Sequence, residues 1–210
     1  MKYDVVVIGA GPSGSTAALN LAKRGKKVLI IDKEKFPREK ACGGGLPIRT
    51  VSRFPYIKES KVIDSYSYGG MVYSPDNEHL EIKKTSPILA TVLRSVFDKY
   101  LVDLSVNHGA IFQDEVFVKD VIIHSDYVQI ILKDGTDINT KLVIGADGMY
   151  SIVAKKTGLA IEKKKYSGIC VLKEYKFSSP TIEKYFTKKT ICQIHSKFQV
   201  IKGYCCVFPK

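Results

Sequence analysis

Residues 9–14 read Gly-Ala-Gly-Pro-Ser-Gly, and an acid, Asp32, stands about twenty positions further on. Glycines at the first, third and sixth places of such a loop suit phosphate chemistry. Gly9 permits a tight turn, Gly11 lets the backbone come close to a pyrophosphate, and Gly14 lets a following helix pack on a sheet. Pro12 and Ser13 lie within the loop, ahead of the N-terminus of that helix. There the unpaired N–H groups and the positive dipole end face an anion. Asp32 is placed to accept hydrogen bonds from an adenosine ribose.

These residues need a scaffold, and the flanking sequence supplies one. An apolar, β-branched run from Tyr3 to Ile8 leads into the loop, Ser15 to Arg24 has a helical pattern, and Lys27 to Ile31 forms a second apolar run ending on Asp32. Strand, loop, helix, strand and acid together make the dinucleotide-binding βαβ fingerprint. Beyond a loop over Lys33 to Gly45, Val62 to Ser74 and Leu80 to Ile82 read as strands around the turn Pro75-Asp76-Asn77. Thr91 to Val106 repeats apolar residues at helical spacing (Val92, Val96, Tyr100, Leu101, Leu104), with Gly109 a helix breaker. Val116 to Ile123 and Tyr127 to Leu132 alternate as antiparallel strands, and Asp134-Gly135 is a hairpin turn before Thr136 to Ile138. Leu142 to Ile144 reads as a short buried strand, followed by a helix from about Ser151. Gly168 to Phe177, Thr190 to Ile194 and Phe198 to Phe208 read as strands. The expectation is an α/β chain: a Rossmann-like domain over residues 1–60 and 85–160, and a mainly β region over 61–84 and 161–210. The boundary is expected near Ile161 to Tyr166.

The chain has 210 residues, 45% hydrophobic and 26% charged, which is ordinary for a globular protein. Its net charge is +12, with small lysine clusters at Lys155-Lys156, Lys163 to Lys165 and Lys188-Lys189. That surface reads first as a solvated lysine-rich face, with anionic headgroups, an acidic redox partner or nucleic acid as the partners it could attract. No arginine-rich helix or interleaved aromatic pattern argues for nucleic acid. No apolar run approaches transmembrane length, and the N-terminus enters a strand at once, so a cytoplasmic location is expected. Cys42, Cys170, Cys192, Cys205 and Cys206 have no paired C-x-x-C spacing, and the four histidines are scattered, so no metal site is expected. Cys170, Cys192, Cys205 and Cys206 read as small core hydrophobes.

Leu142-Val143-Ile144-Gly145-Ala146-Asp147-Gly148-Met149-Tyr150-Ser151 resembles the G-A-D-G-x-x-S segment of flavoproteins with the p-hydroxybenzoate hydroxylase type of fold. Phe36-Pro37-Arg38-Glu39-Lys40-Ala41-Cys42-Gly43-Gly44-Gly45-Leu46 resembles the F-P-R-x-K-x-C-G-G-G-L loop of the geranylgeranyl reductases. Gly203 to Lys210 is similar to their G-Y-x-W-x-F-P-K segment. The resemblance covers essentially the whole chain and implies FAD as cofactor. It implies hydride transfer from reduced flavin to an isolated carbon–carbon double bond of a prenylated lipid or pigment precursor. The electron donor would be NAD(P)H or a ferredoxin-type protein, since no second G-x-G-x-x-G is present, and peripheral membrane contact would suit the substrate.

The same resemblance assigns residues. Ala146, Asp147, Gly148 and Ser151 would lie near the pyrophosphate, with Lys33 and Lys40 in the cofactor site. Arg94, in Leu93-Arg94-Ser95-Val96-Phe97-Asp98, matches an R-x-x-F-D helix that contacts the nucleotide; its alternative is a solvated helix charge. Val118 would hold the adenine through strand backbone. Gly43, Gly44 and Gly45 would let backbone lie against the isoalloxazine ring. Cys42 would be a proton donor or tuning group there, or else a small loop residue without chemistry. Tyr204, Cys206, Phe208 and Pro209 would contact the prenyl chain, or pack in an ordinary sheet core. Departures stand beside these matches: Cys206 replaces the motif's tryptophan, Ala154 stands where an arginine is usual, Asp32 replaces a more common glutamate, and no G-D segment follows. The alternatives are a flavin monooxygenase or halogenase on the same fold, and a truncated, non-catalytic chain.

Overall fold

The computed structural model describes residues 1–160, 168–186, 191–196 and 203–210. In chain order the elements begin with β1 (Tyr3–Ile8), α1 (Pro12–Ala22), β2 (Val28–Ile31), β3 (Gly45–Pro47), α2 (Ile48–Arg53) and α3 (Pro55–Lys58). Next come β4 (Ser65–Ser67), β5 (Gly69–Tyr73), β6 (His79–Lys83), β7 (Leu89–Thr91) and α4 (Arg94–Asn107). The rest are β8 (Ile111–Gln113), β9 (Val118–Ile123), β10 (Val128–Leu132), β11 (Asp137–Gly145), α5 (Ile152–Lys156), α6 (Ser179–Phe186), β12 (Ile191–Ser196) and β13 (Tyr204–Val207).

The chain forms two compact units, Met1–Glu39 with Ser95–Gly168, and Lys40–Arg94 with Ile169–Lys210. The first is an α/β, Rossmann-like unit around a six-stranded sheet ordered β8-β2-β1-β11-β10-β9. β8, β2, β1 and β11 run parallel, with Val6 between Leu29 and Val143, whereas β9, β10 and β11 form an antiparallel meander. Alternation along β1 divides its side chains between two faces. Val5 and Val7 pack with Ala18 and Ala22 of α1, Val28 and Ile30 of β2, and Val102 of α4. Val6 and Ile8 pack with Leu29, Ile31, Val121, Ile130, Leu132 and Val153. One face is therefore closed by helices and the other by the meander and α5. Fully buried side chains such as Ile30 and Leu29 each contribute about 1.5–3 kcal/mol of burial energy.

The second unit contains two small sheets, ordered β13-β12-β5-β6 and β3-β7-β4. β12 runs parallel to β5 and antiparallel to β13. The units divide at residues 39/40 and 94/95 rather than near 60 and 85. The reason is that β3 and β4 both pair with β7, drawing residues 40–60 and 85–94 into the same small sheet.

Several sequence expectations change. α1 begins at Pro12 rather than Ser15, because a proline's fixed φ and missing N–H suit the first turn. Thr91 belongs to β7, and α4 starts only at Arg94. Residues 142–144 are not a short buried strand but the end of nine-residue β11, where Leu142 is exposed. Gly168 to Phe177 forms no strand: Ile169, Val171, Tyr175 and Phe177 alternate with other residues but lie exposed. Cys170 is exposed rather than in a core, Cys205 and Cys206 are half-buried, and Cys192 is buried. The boundary expected at Ile161 to Tyr166 lies outside the described residues. So do Thr190, residues 198–202 of the last expected strand, and the lysines at 163–165 and 188–189.

Candidate nucleotide site

The three glycines of the first loop face different surroundings. Gly9 has φ +99°, and a Cβ on it would run into the Ala146 carbonyl at the end of β11. A Cβ on Gly14 would strike the Gly9 carbonyl. Both positions are thus fixed by protein packing against protein. Gly11 differs: the nearest heavy atom to a Cβ there is Nη2 of Arg38, 3.5 Å away, which is ordinary contact. Its backbone is extended (φ −69°, ψ 179°), and no side chain caps the helix that follows. The first N–H groups of α1 have no acceptor within the helix. An anion is the group that this uncapped end and open glycine can take.

Asp32 is 8% exposed, and both its oxygens are occupied. Oδ2 accepts from the Ala10 N–H at 2.7 Å and Oδ1 from the Glu34 N–H at 2.9 Å. The acid therefore pins the glycine loop to the end of β2 while keeping further lone pairs for a ribose. Its own backbone is tied to the next segment: Asp32 N–H donates to the Gln113 carbonyl, and Val116 N–H donates to the Asp32 carbonyl. That brings the start of β9 beside the acid. Val118 sits where the pairing of β9 with β10 shifts register, so its regular ladder is interrupted while its side chain packs into the core.

The second motif abuts the first, since Ala146 N–H donates to the Ile8 carbonyl at 2.7 Å and its own carbonyl lies against Gly9. Asp147 is spent locally. It accepts from the Ser151 hydroxyl at 2.5 Å and from the Ile152 N–H at 2.7 Å, while the Ser151 hydroxyl accepts from Ala154 N–H at 2.9 Å. The Asp-Gly-x-x-Ser segment thus caps α5, with Gly148 at φ +79° making the turn. Lys33 is exposed and pairs with Glu34 at 3.8 Å. Arg94 is half-buried at the start of α4. Two clefts of about 320 and 400 Å³ in this unit are lined by other residues, not by the glycine loop.

In the second unit the Cys-Gly-Gly-Gly loop meets the Phe-Pro-Lys segment. A Cβ on Gly43 would enter the Phe208 ring, and one on Gly45 would come within 3.2 Å of it. Gly44 has φ +72°, and a Cβ there would strike the Val92 carbonyl; its own carbonyl accepts from Val92 N–H at 3.0 Å. The buried Pro209 carbonyl accepts from Ser65 Oγ at 3.0 Å and Thr91 Oγ1 at 3.4 Å. Lys210 pairs with Glu174 at 2.6 Å. Cys42 is half-buried, Lys40 exposed and Tyr204 75% exposed, so Tyr204 and Phe208 do not share an enclosed apolar face. Burial pushes the Cys206 thiol up, with Cys205 and Cys170 adding to the shift.

Sequence reasoning overlooked one pair in the first unit. Arg38 Nη2 lies 3.1 Å from Asp98 Oδ2, and that aspartate is fully buried. Both residues stand inside motifs already quoted, but nothing in their spacing of sixty positions pairs them.

A model of the FAD binding domain matches residues 2–201. The chain belongs to this FAD-binding family. A dinucleotide with a pyrophosphate, a ribose and an adenine suits the open Gly11, the uncapped α1, Asp32 and the start of β9, so the residues fit FAD. A digeranylgeranylglycerophospholipid reductase from Methanococcus vannielii is 32% identical, aligned over 100% of this chain and 53% of its own. The solved structure of a geranylgeranyl bacteriochlorophyll reductase-like protein from Thermoplasma acidophilum has a TM-score of 0.75. That match has 24% identity and covers 99% of this chain and 53% of the other. The halogenase PltM, in complex with FAD, has a TM-score of 0.65 at 20% identity, covering 75% of this chain and 37% of its own. The chain spans about half the length of the curated relatives it matches.

Proposed function

We propose that this polypeptide carries FAD for a reductase of prenyl carbon–carbon double bonds, with the first unit binding the dinucleotide and the second serving the substrate. The observation that carries the reading is the packing of Gly43 and Gly45 against Phe208, with Gly44 beside Lys210, in the two segments by which the chain resembles geranylgeranyl reductases. The 32% identity to the M. vannielii reductase over the whole chain supports it. The halogenase likeness is at 20% identity and covers three quarters of the chain, so it speaks for the fold alone.

FAD, when bound, supplies the hydride. The chain's own residues do the rest. Gly11 and the first N–H groups of α1 receive the pyrophosphate, Asp32 orients the ribose, and Val118 supports the adenine through its backbone. In the same reading the Gly43 to Gly45 loop, packed by Phe208, Val92 and Leu89, would present its backbone to the flavin ring, and Cys42 would supply a thiol from that loop. Cys206, Phe208 and Pro209 line the prenyl side. The electron donor in this reading is NAD(P)H or an acidic ferredoxin-type carrier drawn by the net charge of +12. The same charge suits peripheral contact with anionic lipid, and among the described residues no helix is long and apolar enough to cross a membrane.

The test is to load the chain with FAD, reduce it chemically without oxygen, and add a geranylgeranyl glycerophospholipid. Mass spectrometry should show two hydrogens gained for each bond saturated. In a parallel aerobic assay with NAD(P)H, peroxide formation with unchanged lipid would favour a monooxygenase or halogenase instead.

A further inference from the structure

Arg38 has an edge that none of the described residues uses. Its side chain is 12% exposed, and Nη2 is held at 3.1 Å by the fully buried carboxylate of Asp98. The guanidinium carbon lies 5.1 Å from the centre of the Phe36 ring, which fixes its plane. Nη1 is buried, yet has no hydrogen-bond partner among the described residues. A buried charged donor left unpaired is costly, so such a group calls for an acceptor. Nη2 is also the nearest heavy atom to the open position beside Gly11.

We propose that Arg38 is the cation that binds the pyrophosphate of the dinucleotide, with Asp98 as the positioning residue that aims it. The proposal rests on the FAD reading above. A guanidinium offers five N–H donors in a planar fork, and Asp98 occupies one edge. The remaining donors match two oxygens of a pyrophosphate, a geometry that an ammonium cannot reproduce. Asp98 also offsets much of the positive charge. Selection therefore rests on the directed N–H groups together with the first turn of α1, and favours a diphosphate over an uncharged nucleoside.

The experiment is a titration of the purified chain with FAD followed by flavin fluorescence, and displacement by ADP and by adenosine. It compares wild type with Arg38→Met and Arg38→Lys, with a thermal melt of each. Arg38→Met should weaken FAD and ADP roughly 10- to 100-fold and leave adenosine unchanged. Arg38→Lys keeps a cation against Asp98, so it should remain folded while regaining only part of the ADP affinity. Equal losses for all three ligands would mean a merely structural arginine, and wild-type ADP affinity in a folded Arg38→Lys would refute the fork. If wild type binds FAD and ADP but Arg38→Met binds them equally well, this proposal alone fails. If wild type binds neither, the FAD reading fails and this one with it.

Discussion

Each unit of the molecule has a glycine-rich loop, and the two loops use glycine differently. In the second unit Gly43, Gly44 and Gly45 are all crowded by protein, by Phe208, Val92 and Leu89. In the first, Gly9 and Gly14 are crowded but Gly11 is open. A glycine needed for packing and one needed for a ligand look the same in a sequence. The space where a Cβ would stand separates them.

That contrast can be broken by substitution. Gly44→Ala combines a positive φ with a collision against backbone, so it should lower stability by about 2–4 kcal/mol, read as a fall in thermal midpoint. An unchanged midpoint would mean that the loop is not held by Val92. Gly11→Val should lower stability by no more than about 1 kcal/mol, since extended backbone accepts valine although glycine is the better cap, yet weaken FAD roughly 100-fold or more. Phe208→Ala removes a half-buried ring seated on Gly43 and should cost about 1–3 kcal/mol, less than for a fully buried ring. Gly70, in β5, has nothing within 4 Å of its Cβ position and no positive φ. Gly70→Ala should therefore be neutral or stabilise by about 0.5 kcal/mol, and a clear loss would show that crowding is not what ranks these glycines. The smallest-scale check is thiol chemistry: Cys170 is exposed, whereas burial pushes the Cys192 thiol up against the opposing effect of Ser67. Iodoacetamide should modify Cys170 well before Cys192 in the folded chain.

Much of the first unit was legible in the sequence. β1, α1, β2 and the meander have strong periodicity, and their turns carry glycine where the backbone needs it, as at Gly109 (φ +100°) and Gly135 (φ +90°). The failures have physical causes. β3, β4 and β7 are three residues long, too short for any period to register. Residues 168–177 alternate like a strand, but alternation reports only a tendency to be half-buried, and that segment has no sheet partner among the described residues. α6 was missed although Ser179-Pro180 is a reasonable helix start. At the site, the glycine loop and Asp32 were readable because each residue has a known local task. The capping role of Asp147, and the meeting of Phe208 with Gly43, arise from packing between distant segments.

The central claim is that Gly11 is kept open for a dinucleotide. The most direct measurement is the visible absorption of wild type and Gly11→Val after equilibration with FAD and desalting, with matched thermal melts. Wild type should retain the flavin bands, and a folded Gly11→Val should lose them. Equal flavin content in the two proteins, or none in wild type, would contradict it.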